Sequence, residues 1–164
     1  MSKRTKKSLS DSAILLRVRK YCALRERSLK EVKQKLIELE VNEEHISGII
    51  KKLENEGFLN EKRYVLAFAG GKFRTKKWGK AKIEMELRKQ NISGEMLTKG
   101  LEAITREEYV NTLNELLKRK MRNMKIGNIE MDLFSAEAQK LIRYAVQKGY
   151  EYELVVDRIK QLLL

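Results

Sequence analysis

The amino-acid sequence predicts an all-α protein, an elongated array of three tandem three-helix repeats with about nine helices. Three observations lead to this prediction. The 164 residues contain no proline, the helically periodic segments begin with capping residues, and one pattern of apolar residues recurs three times. The lack of proline removes the strongest helix breaker, and the other two observations place the helices and define the repeat.

The starts of the helices are marked by residues whose side chains can accept a hydrogen bond from the first helical turn. SLKE at 28–31 and TREE at 105–108 have the form of capping boxes, and Asn42, Asn60 and Ser93 precede apolar-periodic runs. We therefore predict helices over residues 11–26, 29–40, 43–55, 61–74, 79–90, 94–104, 106–122, 132–148 and 151–163.

Comparing the sequence with itself shows the repeat and settles one ambiguous segment. Shifts of 51 and then 58 residues align the stretches 30–53, 81–104 and 141–162. Within the second stretch, AKIEMEL alternates apolar and charged residues, which is typical of a strand. Met85 nevertheless falls on the outward position of Gln34, so we predict a helix there as well.

Units of this size cannot bury their apolar faces alone, so neighbouring units must stack. We place a basic flexible tail at residues 1–8, and the three repeats at 9–57, 58–104 and 105–164. The middle repeat is the basic one.

The charge of the chain predicts the class of its partner. Lys and Arg total 36 against 23 Asp and Glu, a formal net charge of +13. Residues 126–164 hold five basic and six acidic residues, so the excess lies earlier in the chain. Such a field attracts polyanions. Nucleic acid is the preferred class, followed by an acidic protein surface and then a membrane surface.

The densest basic run, KFRTKKWGKAK at 72–82, carries six bases and no acid around the only tryptophan. It is either a solvated helical surface or a phosphate-contacting one, since a polyanion would relieve the repulsion among six like charges. Trp78 either packs between helices, with Gly79 leaving room for the turn, or stacks on an exposed base. A second run at 118–125 either complements a helix C-terminus or extends the basic track.

The sequence gives no support to a catalytic or metal site. Its one cysteine, Cys22, and one histidine, His45, lie far apart, and no glycine-rich phosphate loop is present. Cys22 lies in an apolar run, which predicts a buried thiol. His45 aligns with Met96 and Leu154 of the other repeats, which predicts a half-buried side chain. We predict no enzyme activity, no cofactor and no metal. With no secretion signal or membrane span, we expect a cytoplasmic protein.

The middle repeat contains an ordered series of motifs. GFLNEKRYVLAFAGGKFRTKKWGKAKIEMELRKQNI at 57–92 has a glycine, an Asn-Glu pair before Arg-Tyr, a run of bases, a Trp-Gly step and a basic helix ending in leucine. This series resembles the central motif of the RecX family of recombinase regulators. The likeness extends from about Ile14 to Leu163. The sequence departs from the family pattern at Val65, at Gly70-Gly71 and at Asn91.

This resemblance implies a non-enzymatic protein that binds the RecA recombinase, above all its filament on single-stranded DNA. It also implies inhibition of ATPase, strand-exchange and co-protease activities, and a role in DNA repair and the SOS response. The expected partners are the RecA filament and single-stranded DNA, with duplex DNA as a further option; we expect no membrane partner and a monomeric chain. The alternative is an architectural nucleic-acid-binding protein that needs no recombinase. The predicted contact residues are Arg63, Lys72, Arg74, Lys76, Lys77, Trp78, Lys80, Lys82, Arg88, Lys118, Arg119 and Lys120.

Overall fold

The computed structural model describes residues 10–126 and 132–163. Within these ranges the helices are α1 (Asp11–Leu24), α2 (Leu29–Glu38), α3 (Glu43–Asn55), α4 (Glu61–Lys76), α5 (Lys80–Lys89), α6 (Gly94–Glu102), α7 (Arg106–Asn123), α8 (Ala136–Gln147) and α9 (Tyr152–Leu163). The described residues include no strand, so the prediction of an all-α, tandem helical arrangement is confirmed. The predicted basic tail, residues 1–8, lies outside the described residues.

Most helix starts follow the capping residues read from the sequence. Ser28 and Thr105 each form both hydrogen bonds of a capping box, and the Asn60 side-chain Oδ1 atom accepts from the Arg63 N–H at 2.8 Å. Asn42 and Ser93 occupy N-cap positions, but their side chains make no capping hydrogen bond. Backbone conformation alone therefore begins α3 and α6.

The predicted start of the eighth helix, residue 132, is too early. The helix begins at Ala136 because the Ser135 hydroxyl accepts from the Ala138 N–H and caps it there. The capping serine lies inside the predicted helix, and its signal was missed.

The same turn ends α2, α5 and α8. Its central residues, Glu40, Asn91 and Gly149, have positive φ angles of 60°, 63° and 99°. The next N–H in each case donates to a carbonyl five residues earlier: Val41 to Leu36 at 3.1 Å, Ile92 to Leu87 at 3.1 Å and Tyr150 to Ala145 at 3.2 Å. This pattern satisfies the last carbonyls of each helix. The threefold pattern in the sequence thus has a structural counterpart, while the boundaries of the three repeats stay a prediction.

The chain divides into two compact units, Met1–Ala67 and Phe68–Leu164. The first unit packs α1, α2 and α3 around a core that includes Val18, Val32, Leu36 and Leu53, all of them fully buried. Cys22 belongs to this core, as predicted, and burial raises the pKa of its thiol.

The expectation of a half-buried His45 is wrong. The His45 side chain is 64% exposed and lies beside Glu44, with its Nε2 atom 3.9 Å from Oε1 of that residue. Its counterpart Leu154 in the second unit is only 9% exposed. The positions are equivalent in sequence, but His45 lines an open groove of the first unit.

A two-pronged ion pair joins α1 to the end of α3. The Arg19 guanidinium donates through Nε to Oε2 of Glu56 at 2.8 Å and through Nη2 to Oε1 at 2.6 Å. This hydrogen bonding holds the pKa of Glu56 below its usual value.

We expect Glu56→Gln to destabilise the protein at pH 7 by an amount that shrinks on acidification. A carboxylate with a depressed folded-state pKa contributes stability above its unfolded pKa, near 4.5, and loses it as the pH falls through the folded value. Urea unfolding of wild type and variant between pH 7 and pH 3 measures the difference. Glu102→Gln, at an exposed carboxylate, is the control. A difference that stays constant down to pH 3 would contradict the expectation.

In the second unit, α5 is capped by distant parts of the chain. The Gly79 N–H donates to the Lys148 carbonyl at 2.7 Å, and the Ala81 N–H donates to the Gly149 carbonyl at 3.1 Å. Between them, the Lys80 N–H donates to the Tyr109 hydroxyl at 2.9 Å. These bonds satisfy N–H groups at the start of α5, where the N-cap residue is a glycine and has no side chain to accept them. They also fix the start of α5 against α7 and the α8–α9 turn.

Candidate nucleic-acid interface

A cationic cleft of about 270 Å³ opens in the second unit between the end of α4 and one face of α7. Its bases are Lys77, Lys118, Arg119 and Arg122, and Thr112, Glu115 and Leu116 complete the lining. The α7 members recur at intervals of three and four residues, so they share one face of that helix. Among the residues that the structure describes, no carboxylate oxygen lies close enough to form an ion pair with any of these four cations. A cleft with four bases and one acid favours an anionic ligand.

Lys77 reaches the cleft through an unusual backbone conformation. Its φ of 55° lies in the left-handed region, and its N–H donates to the Phe73 carbonyl at 3.0 Å. A residue with a side chain in this region carries a backbone strain of roughly 1 kcal/mol or more. The turn ends α4 at Lys76 and leads the chain through Trp78 and Gly79 into α5.

Trp78 is half-buried, and two ammonium groups lie close to its ring. The Lys72 Nζ atom is 5.1 Å and the Lys82 Nζ atom 4.9 Å from the ring centroid. Cations at this distance are attracted to the electron-rich face of an indole. The tryptophan therefore links α4 to α5, while the exposed part of the side chain leaves base stacking open as a second role.

Tyr109 fixes the position of Lys80. Its hydroxyl accepts from the Lys80 N–H and donates to Oε2 of Glu151 at 2.8 Å. Its ring stacks on Tyr150, with centroids 4.9 Å apart, and lies 5.2 Å from the Lys80 Nζ atom. Burial raises the pKa of Tyr109 above its ordinary value, as does the hydrogen bond to Glu151. The phenol therefore stays protonated. Its hydroxyl can then accept from the Lys80 N–H and donate to Glu151 at the same time.

Five other predicted contact residues have different surroundings. Arg88 pairs with Glu84 on its own helix at 2.8 Å, and Lys120 lies 4.9 Å from the Tyr144 ring centroid. Arg74 and Lys76 are exposed near the end of α4. Arg63 belongs to the first unit.

In that unit the Arg63 guanidinium donates to Glu26 at 2.9 Å and to the Gly57 carbonyl at 2.8 Å. Both bonds hold the chain between α3 and α4. This arginine is already engaged within its own unit, so it has less capacity for a phosphate than the cleft cations have.

Comparison with known proteins adds three findings. A family model described as RecX, second three-helix domain, matches residues 60–101, the segment that holds the predicted residues from Arg63 to Arg88. Regulatory protein RecX of Oceanobacillus iheyensis is 26% identical over 142 residues, which cover 87% of this chain and 50% of that protein. Regulatory protein RecX of Clostridium acetobutylicum is 29% identical over 135 residues, 81% of this chain and 61% of that protein.

The third finding concerns solved structures. The crystal structure of RecX from Lactobacillus salivarius matches with a TM-score of 0.79 and 24% identity, over 92% of this chain and 95% of the other. A second RecX crystal structure matches with a TM-score of 0.74 and 19% identity. These likenesses show the fold. The chain is therefore similar to RecX proteins over most of its length. It spans about half to three-fifths of the length of the curated RecX relatives named above.

Sequence reasoning missed one base of the cleft. Arg122 lines the cleft together with Lys118 and Arg119. It lies in the basic run at 118–125, and its spacing of four residues from Lys118 is the signal that places it on the same helical face.

A second basic residue was missed for a different reason. The Lys148 ammonium lies 3.4 Å from the Lys76 carbonyl oxygen, beside the segment that carries the densest basic run. The two residues are 72 positions apart, so no local sequence pattern joins them.

Within residues 10–126 and 132–163, no group of three or more His, Cys, Asp and Glu side chains is arranged to hold a metal ion. The described helices include none with the length and apolar character of a membrane span. The curated relatives carry the name of regulatory proteins and not of enzymes.

Proposed function

We propose that this chain is a regulatory protein that binds RecA and its filament on single-stranded DNA. It mostly inhibits the ATPase, strand-exchange and co-protease activities of the recombinase, and it acts by binding and not by catalysis. Similarity to RecX regulatory proteins supports the proposal. The four cleft cations, none of which pairs with a carboxylate among the described residues, are the observation that extends it to the nucleic acid of the filament. The protein acts in the cytoplasm as a monomer, and duplex DNA is a further ligand.

The cleft and the tryptophan cluster (Trp78, Lys72 and Lys82) serve different parts of a single strand. The four cleft bases contact phosphates, which position a protein on nucleic acid without reading its sequence. The half-exposed Trp78 offers a surface for an unstacked base, next to two ammonium groups that contact the same strand. A chain built in this way recognises the strand of any filament, whatever its sequence.

The second candidate function is an architectural one, in which the protein coats nucleic acid without a recombinase. The same cationic cleft favours it, because phosphates of a naked strand and of a filament carry the same charge. The two candidates differ in the amount of protein they need. A filament regulator acts well below the concentration of DNA sites, whereas a coating protein must approach saturation.

We expect the single-strand-dependent ATPase of the cognate RecA to fall at concentrations of this protein that leave most naked strand unbound. The measurement titrates the protein into the ATPase assay and follows its binding to naked strand by fluorescence anisotropy in the same buffer. A heat-unfolded sample of the protein controls for charge alone. If ATPase is lost only when the strand itself is coated, competition for DNA is the cause and the architectural function is correct.

A further inference from the structure

A second concave surface lies in the first unit and has a different chemistry from the cleft. The groove has a volume of about 610 Å³ and is formed by α1, the α2–α3 turn and α3. Its apolar lining comes from Ile14, Leu15, Val41 and Ile49. The last three are only half-buried, so the groove presents apolar surface to solvent.

Gly48 opens the wall of this groove. It lies inside α3, where glycine weakens a helix relative to alanine. A Cβ atom at this position would have no atom within 4 Å, and the residue does not have a positive φ. Neither packing nor backbone conformation within the unit requires glycine. A glycine at such a place allows another chain to approach the helix backbone closely.

The rim of the groove is acidic. Three carboxylates, Asp11, Glu40 and Glu44, face one ammonium group, Lys52, and His45 completes the rim. This excess of negative charge occurs on a chain whose formal net charge is +13. It disfavours nucleic acid and favours a ligand that combines apolar with cationic side chains. An amphipathic helix that carries lysine or arginine has this combination, and helices commonly bind proteins by laying their apolar face into such a groove.

We propose that this groove docks a basic amphipathic helix of the recombinase, so that the first unit contacts the protein part of the filament while the cleft contacts its DNA. The proposal rests on the proposed function. The apolar floor takes up the apolar face of the helix, Gly48 gives room for close approach, and the acidic rim pairs with lysine or arginine on either side.

The variant Gly48→Trp tests the proposal because it adds a large side chain at a groove-lining position where a Cβ atom would meet no atom within 4 Å. We expect it to weaken binding to preassembled RecA filaments on oligo(dT) about tenfold or more, the loss typical of a blocked docking pocket. The dissociation constant for naked oligo(dT) should stay within about twofold of the wild-type value. Ser47→Trp is the matched control: it lies on the same helix, is exposed, and is not part of the groove.

A second variant, Asp11→Asn with Glu44→Gln, removes charge from the rim without adding bulk. It tests the same proposal if the tryptophan variant does not fold. It should also weaken filament binding selectively, and most strongly at low salt. Circular dichroism and thermal melting check the fold of each variant. Filament binding by Gly48→Trp equal to that of Ser47→Trp would overturn the proposal, and so would an equal loss of naked-strand binding.

If wild-type protein binds filaments no better than naked strand, the proposed function fails, and the groove is tested by itself. The probes are a leucine–lysine peptide with an amphipathic helical pattern and its leucine–glutamate counterpart. In NMR titrations of the full chain, we expect the Gly48 and Val41 amide signals to shift with the lysine peptide only. Equal shifts with both peptides, or none, would show that the groove does not dock a basic helix.

Discussion

Gly79→Ala should lower the free energy of unfolding by about 3 kcal/mol or more, the upper range for overpacking a tight contact. A Cβ atom at Gly79 would lie 2.2 Å from the carbonyl carbon and oxygen of Gly149 and 2.4 Å from the Tyr150 nitrogen. All three are backbone atoms, so no side-chain rotation can relieve the clash. Separating the two backbones would also break the hydrogen bond from the Gly79 N–H to the Lys148 carbonyl.

The loss should appear as a decrease of roughly 10 °C in melting temperature, followed by circular dichroism. Gly71→Ala is the matched control. Gly71 lies within α4, and a Cβ atom there would have no atom within 4 Å. That variant should therefore be unchanged or more stable by about 0.5 to 1 kcal/mol, the gain for replacing glycine in a helix interior. Equal melting temperatures for the two variants would show that the glycine contact is not a tight one.

The helices and their register could be predicted because their signals are local. A capping side chain and the residue that it caps are three positions apart, as at Ser28 and Thr105. The apolar residues aligned by the repeat are buried in corresponding places, for example Leu36, Leu87 and Ala145, which have no exposed surface. A period read along the chain is enough to assign these positions.

The contact between Gly79 and Gly149 could not be predicted in this way. The sequence indicated a turn at Gly79, but the backbone that requires a glycine there lies 70 residues away. The same holds for the cationic cleft, which combines Lys77 of one basic run with bases of another run on α7. Each run is visible in the sequence, whereas their meeting depends on how the helices pack.

His45 shows the limit of inference from a repeat. Its alignment with Leu154 correctly identified the equivalent helical position, yet its side chain is exposed. Equivalent positions share a backbone geometry, but burial depends on what else packs against them. In the first unit that position borders the groove, and a polar side chain is compatible with it.

Replacing the four cleft bases with alanine should weaken binding to single-stranded oligonucleotides roughly a hundredfold at low salt. The variant combines Lys77→Ala, Lys118→Ala, Arg119→Ala and Arg122→Ala. Each phosphate contact contributes about 0.7 to the slope of log affinity against log salt concentration on single strands, so the slope should fall by up to about 3. Anisotropy titrations with a labelled oligonucleotide at several salt concentrations measure both quantities.

The control for the cleft must remove the same charge from another surface. Four exposed bases of the first unit, replaced together, meet this need: Arg17, Lys20, Lys51 and Lys62. If the cleft holds the strand directly, the control variant keeps most of the salt slope, because loss of net charge weakens long-range attraction without releasing bound counterions at the contact. If the slope of log affinity against log salt concentration falls by the same amount in both variants, binding depends only on the total charge of the chain. The cleft would then have no special part in binding, and the assignment of Lys77, Lys118 and Arg119 as contact residues would be wrong.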